Sequence, residues 1–310
     1  MATITVPSAL SRLPEKIAAF AADPYFRDAW DDLSTVVGDG SEIAALLADA
    51  APLVLRPDAL VSGRARRVLE SVYAAGFTPV AMAWFTFSRH VIRETWRYQL
   101  NVATRDRIDV MDMVLRGEDA VYILLEKPDR PRDVPATSLL SDMKGPSAPE
   151  DRRPEHLRSL AGSAQESVLT YVHVADEPAD IVRELGVFFD RPQRRKLFGS
   201  LGARRDLGES VIAEIDDRTR TADLGYDTAL SRLARLAEGQ PGLAQPLIRL
   251  LSRIEAGDGS CWRDLLDHVE RTGLPLSRWG KAAIAARLGA RHLDATPTVP
   301  DVKSEAWSVQ

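Results

Sequence analysis

Four strand-forming runs alternate with helical runs between residues 51 and 190, and beyond residue 190 strand signals vanish. That contrast constrains the fold more than anything else in the chain. Pro52-Leu53-Val54-Leu55-Arg56-Pro57-Asp58 reads as a short strand closed by a turn. Residues 63–75 read as an amphipathic helix, with Val68, Leu69, Val72 and Tyr73 inward, Arg64, Arg66, Arg67 and Glu70 outward, and Gly76 as the stop. Residues 77–87 are rich in strand formers. Residues 88–100 are helical with Val91, Ile92 and Trp96 on one face, residues 106–115 form a further helix, and residues 119–126 a third strand. A charged, proline-rich loop at 128–135 is followed by a short helix, a loop containing Met143-Lys144-Gly145-Pro146-Ser147, and helical turns at 154–160. A fourth strand at 167–174 and a helix at 177–189 complete the run. Stripped of its extra helices, the order is a split βαβ pattern, which predicts an α+β fold with a ferredoxin-like antiparallel sheet and helices on one side.

The flanks differ. Residues 1–50 read as a helical extension, with helices over 13–22 and 25–37, a break at Gly38-Asp39-Gly40, and a third helix starting at Ser41 and Glu42. An all-α region spans 191–293, with apolar residues at helical spacing over 224–237, 243–254, 262–269 and 276–288. From Asp294 to residue 310 the chain reads as a disordered tail. The predicted units are therefore 1–50, 51–190, 191–293 and 294–310. A net charge of −5 argues against nucleic acid or an anionic membrane as the main partner. The basic runs at 64–67 and 191–196 accordingly read as solvated helix faces. The only cysteine is Cys261, no apolar run approaches a membrane span of ~18 residues, and the first residues lack a signal-peptide pattern. A cytoplasmic protein is expected. One cysteine and five scattered histidines predict no protein-built metal site.

His173 is the candidate reactive group. A β-branched, aromatic run leads into it, and a helix start follows at once, with Asp176 placed to cap and Glu177 and Pro178 in the first turn. An imidazole at a strand end can take part in chemistry at neutral pH. A lone histidine is more often packed than reactive, so its surroundings decide. His156 reads as a surface helical residue.

Several stretches, in order, resemble the nucleoside diphosphate kinase family over residues 52 to about 190. They are Leu55-Arg56-Pro57-Asp58, Gly76-Phe77, Gly145-Pro146-Ser147, His156-Leu157-Arg158, and His173-Val174-Ala175-Asp176 continuing without a gap through Arg183-Glu184-Leu185 to Phe188-Phe189. The resemblance implies a ping-pong phosphotransferase in which His173 takes the γ-phosphate of ATP or another nucleoside triphosphate and passes it on. It implies Glu184 as the carboxylate that orients the histidine, and Arg56, Trp96, Lys144, Ser147, Arg158 and Thr170 as phosphate and nucleotide contacts. Mg2+ would bridge the phosphates, with no protein metal ligand. Nucleotide is the implied partner, and a homo-oligomer is possible. The sequence departs from the family at several positions. Arg56 stands for a lysine, Trp96 for a tyrosine, Thr170 for an asparagine, Ala175 for a serine and Ser141 for an arginine that Lys144 could cover. Thr104 stands for a base-stacking phenylalanine, with Arg105 and Arg107 nearby. Two readings stay open: a phosphotransferase for a nucleotide or another acceptor, and a catalytically dead module on the same fold that binds a nucleotide or a protein.

Overall fold

The computed structural model describes residues 4–38, 40–162, 168–239, 241–290 and 293–308. Its strands are β1 (Ala50–Leu55), β2 (Thr78–Thr86), β3 (Asp119–Glu126) and β4 (Val172–Val174). The helices before β2 are α1 (Pro14–Ala22), α2 (Pro24–Val37), α3 (Gly40–Asp49), α4 (Pro57–Val61) and α5 (Ala65–Ala74). Those up to the end of the sheet region are α6 (Arg89–Thr95), α7 (Arg105–Leu115), α8 (Ala136–Lys144), α9 (Leu157–Ala161) and α10 (Pro178–Phe188). Beyond it lie α11 (Arg191–Phe198), α12 (Gly208–Arg218), α13 (Tyr226–Gly239), α14 (Pro241–Glu255), α15 (Trp262–Thr272), α16 (Arg278–Gly289) and the short α17 (Glu305–Ser308).

The sheet is antiparallel in the order β2-β3-β1-β4, the ferredoxin-like arrangement the sequence predicts. β1 and β3 are central, and every residue of β1 is buried. A strand covered on both faces needs a continuous apolar run, and Ala50-Ala51-Pro52-Leu53-Val54-Leu55 supplies one. β2 is an edge strand whose outer side is partly covered by the chain itself. Leu207 N–H donates to Pro79 O at 2.9 Å, Trp84 Nε1–H donates to Glu214 at 2.6 Å, and Arg218 lies over the Trp84 ring.

The N-terminal helices are built into the same core. Phe26, Ala29 and Leu33 of α2 are fully buried, and α2 lies against α10. Gly186 permits that approach, because a Cβ there would sit 2.2 Å from Tyr25 O. The run at 191–196 is not simply a solvated face. Arg191, Arg194 and Arg195 converge on the fully buried Asp32 carboxylate, with Arg194 donating from Nη2 at 2.6 Å. A buried carboxylate needs such partners, and removing one typically costs about 3–5 kcal/mol.

Three local expectations change. Pro57 and Asp58 begin a short helix rather than a plain turn. The helix expected over 88–100 stops at Thr95 and continues, after a break, as a single 3-10 turn at Leu100–Val102. The fourth strand shrinks to Val172–Val174, since Tyr171 takes a positive φ of 60° and residues 168–171 are held by the Arg56 and Asp58 side chains and an Arg56 N–H bond to Tyr171 O rather than by a regular ladder. Residue 167 lies outside the described residues. Among the described residues, no helix is long and apolar enough to cross a membrane.

Candidate active site

β4 pairs with β1 so that His173 lies opposite Val54. The strand ends one residue later, and α10 starts at Pro178 behind an N-cap at Glu177. The cap is therefore Glu177 rather than Asp176. Asp180 Oδ2 accepts the Glu177 N–H at 3.0 Å, while the Asp176 carboxylate is taken by Ser141 Oγ at 2.6 Å and Lys144 Nζ at 2.9 Å. Two turns into α10, Glu184 reaches back to the histidine, and His173 Nε2 lies 2.6 Å from Glu184 Oε1. In the neutral imidazole, a carboxylate acceptor at this position assigns the proton to Nε2 and leaves the lone pair on Nδ1. The Trp96 and His173 rings meet in a T-shaped arrangement, with centroids 5.5 Å apart and planes at 77°.

His173 and Glu184 line a cavity of about 310 Å³. Arg56, Trp96, Lys144, Ser147, Arg158 and Thr170, the other candidates read from the sequence, line the same cavity. Its walls carry seven cationic side chains (Lys16, Arg56, Arg107, Lys144, Arg158, Arg183 and Lys303) against four carboxylates (Asp176, Asp180, Glu184 and Asp301). Such a hollow favours a polyanion.

The cations differ in how far they are committed. Arg56 is largely spent on the protein. Its Nε donates to Asp58 at 3.1 Å and Nη2 to Val168 O at 2.9 Å, and Nη1 donates to Thr170 Oγ1. Asp58 in turn accepts the Tyr171 N–H at 2.8 Å. Arg56 and Thr170 thus hold the lead-in to β4 as well as facing the cavity. Lys144 is tied to Asp176 and to Val174 O. Arg158 is only partly compensated. Its Nη1 donates to Gly145 O at 2.6 Å, but its buried Nε has no hydrogen-bond partner. Burial, with the charges of Arg152 and Arg56 close by, pushes its pKa down to about 9. A guanidinium short of anions in a basic cleft is a good receptor for phosphate.

The loop with Ser147 begins at Gly145, whose φ of +79° suits glycine and whose Cβ would collide with the His156 ring at 2.4 Å. His156 is therefore not a surface residue. It is buried beneath Gly145 and accepts the Arg153 N–H on Nδ1 at 2.9 Å. Burial and the Arg153 charge lower its pKa. Thr104 is no platform for a base, since its hydroxyl caps α7 by accepting the Arg107 N–H at 3.1 Å. Of its neighbours, Arg107 lines the cavity, whereas Arg105 is exposed and pairs with Asp109.

Sequence reasoning did not reach the N-terminal contribution. Lys16 of α1 is buried between Glu177 at 2.9 Å and Asp180 at 2.7 Å. Burial opposes its charge, but Asp180, Glu177 and Asp176 together hold its pKa above the usual lysine value. Burial pushes Asp180 up to about 6, with Asp176, Glu184 and Glu177 adding to the effect and Lys16 opposing it. Arg183 donates to Asp23 at 2.7 Å and to Glu94 O at 2.8 Å, and Tyr98 donates to the same Asp23 at 3.1 Å. The available signal was Lys16 itself, a lysine four residues before Phe20 on the buried face of α1.

A histidine held by a glutamate thus lines a largely cationic cavity on an α+β sheet. The family model described as Nucleoside diphosphate kinase matches residues 50–193, so the resemblance carried by the motifs holds for this segment. A comparison with curated proteins returned no match. Similar solved structures include the nucleoside diphosphate kinase of Aquifex aeolicus, 19% identical, covering 46% of this chain and 95% of that one with a TM-score of 0.38. The enzyme from Encephalitozoon cuniculi is 13% identical, with 45% and 87% covered and a TM-score of 0.38. The Halobacterium salinarum enzyme, solved with CDP, is 17% identical, with 46% and 87% covered and the same TM-score.

Proposed function

We propose that the protein is a nucleoside-diphosphate-kinase-like phosphotransferase working through a phosphohistidine at His173. The observation that carries this reading is the 2.6 Å bond from His173 to Glu184 inside the basic cavity. Nδ1 attacks the γ-phosphorus of a nucleoside triphosphate such as ATP. The bond from phosphorus to the β,γ-bridging oxygen breaks, and the nucleoside diphosphate leaves with that oxygen. The ring, now bonded through Nδ1 and still protonated at Nε2, gains positive charge that Glu184 neutralises. In the second half, a terminal oxygen of an acceptor phosphate attacks the phosphorus and the bond to Nδ1 breaks. In this reading Arg158, Ser147 and Lys144 meet the transferring phosphate and Arg56 and Thr170 shape the wall, supported by their sharing the cavity with His173.

The α10 carboxylates and Asp176 are engaged by Lys16, His173, Lys144 and Ser141, which fits Mg2+ entering on the nucleotide phosphates and neutralising their charge. The unit that carries this chemistry is residues 51–190, flanked by 1–50 and 191–293, in a cytoplasmic protein. Any homo-oligomer would use a surface other than the part of β2 covered by residues 207–218. The second reading, a nucleotide-binding module without turnover, draws on the heavy commitment of Arg56 and Lys144 to protein groups. Incubation with γ-labelled ATP and Mg2+ separates the two. An acid-labile, base-stable label that vanishes in His173→Ala supports the phosphotransferase. Nucleotide binding by calorimetry without label supports the module.

A further inference from the structure

The predicted disordered tail is docked across the cavity. Leu293 N–H donates to Val102 O at 2.8 Å, Asn101 Nδ2 donates to Thr296 O at 2.9 Å, Thr298 N–H donates to Asn101 Oδ1 at 3.1 Å, and Val299 N–H donates to Tyr98 O at 3.3 Å. Farther on, Ser304 bonds to Asp142, and Val302 and Trp307 bury themselves with Val134 against Leu13 and Leu139. Arg12 lies 4.6 Å over the Trp307 ring. Residues 309–310 lie outside the described residues.

Pro297, Val299, Asp301 and Lys303, every second residue of this stretch, all line the His173 cavity. Val299 is buried, while Asp301 and Lys303 are exposed at the mouth. Asp301 is also among the charges that act on Arg158, and it pairs with no lysine or arginine among the described residues, whereas Asp176 and Asp180 each pair with a lysine.

We propose that residues 293–308 form a strap that shuts the cavity mouth, with Asp301 set toward Arg158 on the side where a nucleotide's phosphates would bind, so that nucleotide and docked strap exclude one another. The proposal rests on the nucleotide reading of the site. The cavity that remains under the strap, about 310 Å³, lies at the low end of the range for small-molecule pockets. The strap holds its place through main-chain and Asn101 side-chain bonds to residues 98–102, the Ser304–Asp142 bond and two apolar anchors, and among the described residues it has no hydrogen bond to the sheet. It can therefore peel away without unfolding the domain. Its two groups of contacts act differently. Val302 and Trp307 fix the strap, whereas Asp301 supplies the competing negative charge.

The test uses the full chain, with Mg2+·ADP as probe, and compares wild type with Asp301→Asn and Trp307→Ala. When a closed form must open before binding, apparent affinity falls by the closed-to-open ratio, so each variant is expected to bind ADP about five- to tenfold more tightly. Hydrogen exchange at the Thr298 and Val299 amides should speed up in wild type when ADP is added. Unchanged or weaker binding in both variants, slower exchange with ADP, or no ADP binding by any of the three proteins overturns the strap. Labelling from γ-labelled ATP then separates the two claims. Label on His173 with unchanged ADP affinity in the variants leaves the phosphohistidine standing without the strap. Tighter ADP binding in the variants without label leaves the strap standing and removes the phosphotransfer.

Discussion

At the scale of single residues, the pair that matters is His173 and Glu184, eleven positions apart in the chain and 2.6 Å apart at their side-chain tips. The glutamate fixes which nitrogen is protonated, and its second oxygen is buried with no hydrogen-bond partner. Its negative charge is therefore poorly dispersed and well placed to answer an imidazolium-like ring. Glu184→Gln keeps the shape, removes the charge and allows the amide to present an N–H to the ring. We expect this change to slow histidine phosphorylation by on the order of 10–100-fold, the usual cost of losing an orienting partner. Single-turnover labelling should show the fall while ADP affinity stays within about twofold. An equal loss of ADP affinity would mean that Glu184 serves binding instead.

At the scale of elements, the junction of β4 and α10 gathers Asp176, Glu177, Asp180 and Lys16. The folded state holds Asp180 at about 6, above its ordinary 3.8, so between these values the native protein binds more protons than the unfolded chain. Stability from this group is thus greatest at low pH and declines as pH rises through about 4 to 6. With only 16% of the side chain exposed, the decline amounts to at most about 3 kcal/mol. Urea titrations of wild type and Asp180→Asn should show the stability difference moving in favour of the variant across that window. A constant difference would remove the claim. The same junction shows what the sequence could reveal. Runs of strand-forming apolar residues located β1, β2 and β3 and helical spacing located α10 closely, because those elements bury contiguous apolar stretches or one apolar face. The shortening of β4 was hidden, since it depends on Arg56, more than a hundred residues away, gripping Val168 and Thr170. The strap was hidden for a related reason. Val302 and Trp307 follow no period, and what makes them bury is a surface assembled from Leu13, Val134 and Leu139. The candidate site residues were legible as a set because local motifs carried them. Lys16, Asp23 and Arg183 were not, because each gains its role only from a distant partner.

At the scale of the whole molecule, the helical flanks take part in the site instead of merely adjoining it. Asp23 joins α10, through Arg183, to the Tyr98 wall of the cavity, and α2 rests on α10 at Gly186. Gly186→Ala should force these helices apart and destabilise the protein by about 1–3 kcal/mol, read as a lower denaturation midpoint with an unchanged urea m-value. No change in midpoint would mean that α2 yields freely. The lengths of chain involved also bear on how the protein forms. Ser11 bonds to Glu177 across 166 positions, Arg183 to Asp23 across 160, and Ser304 to Asp142 across 162. Contacts of such high sequence separation carry the largest closure entropy and are made late. During synthesis the opening helices must wait until α10 has emerged before they find their seats, and the strap can settle only after that. The walls that α1 and the strap give the cavity are consequently among the last parts of the molecule to be put in place.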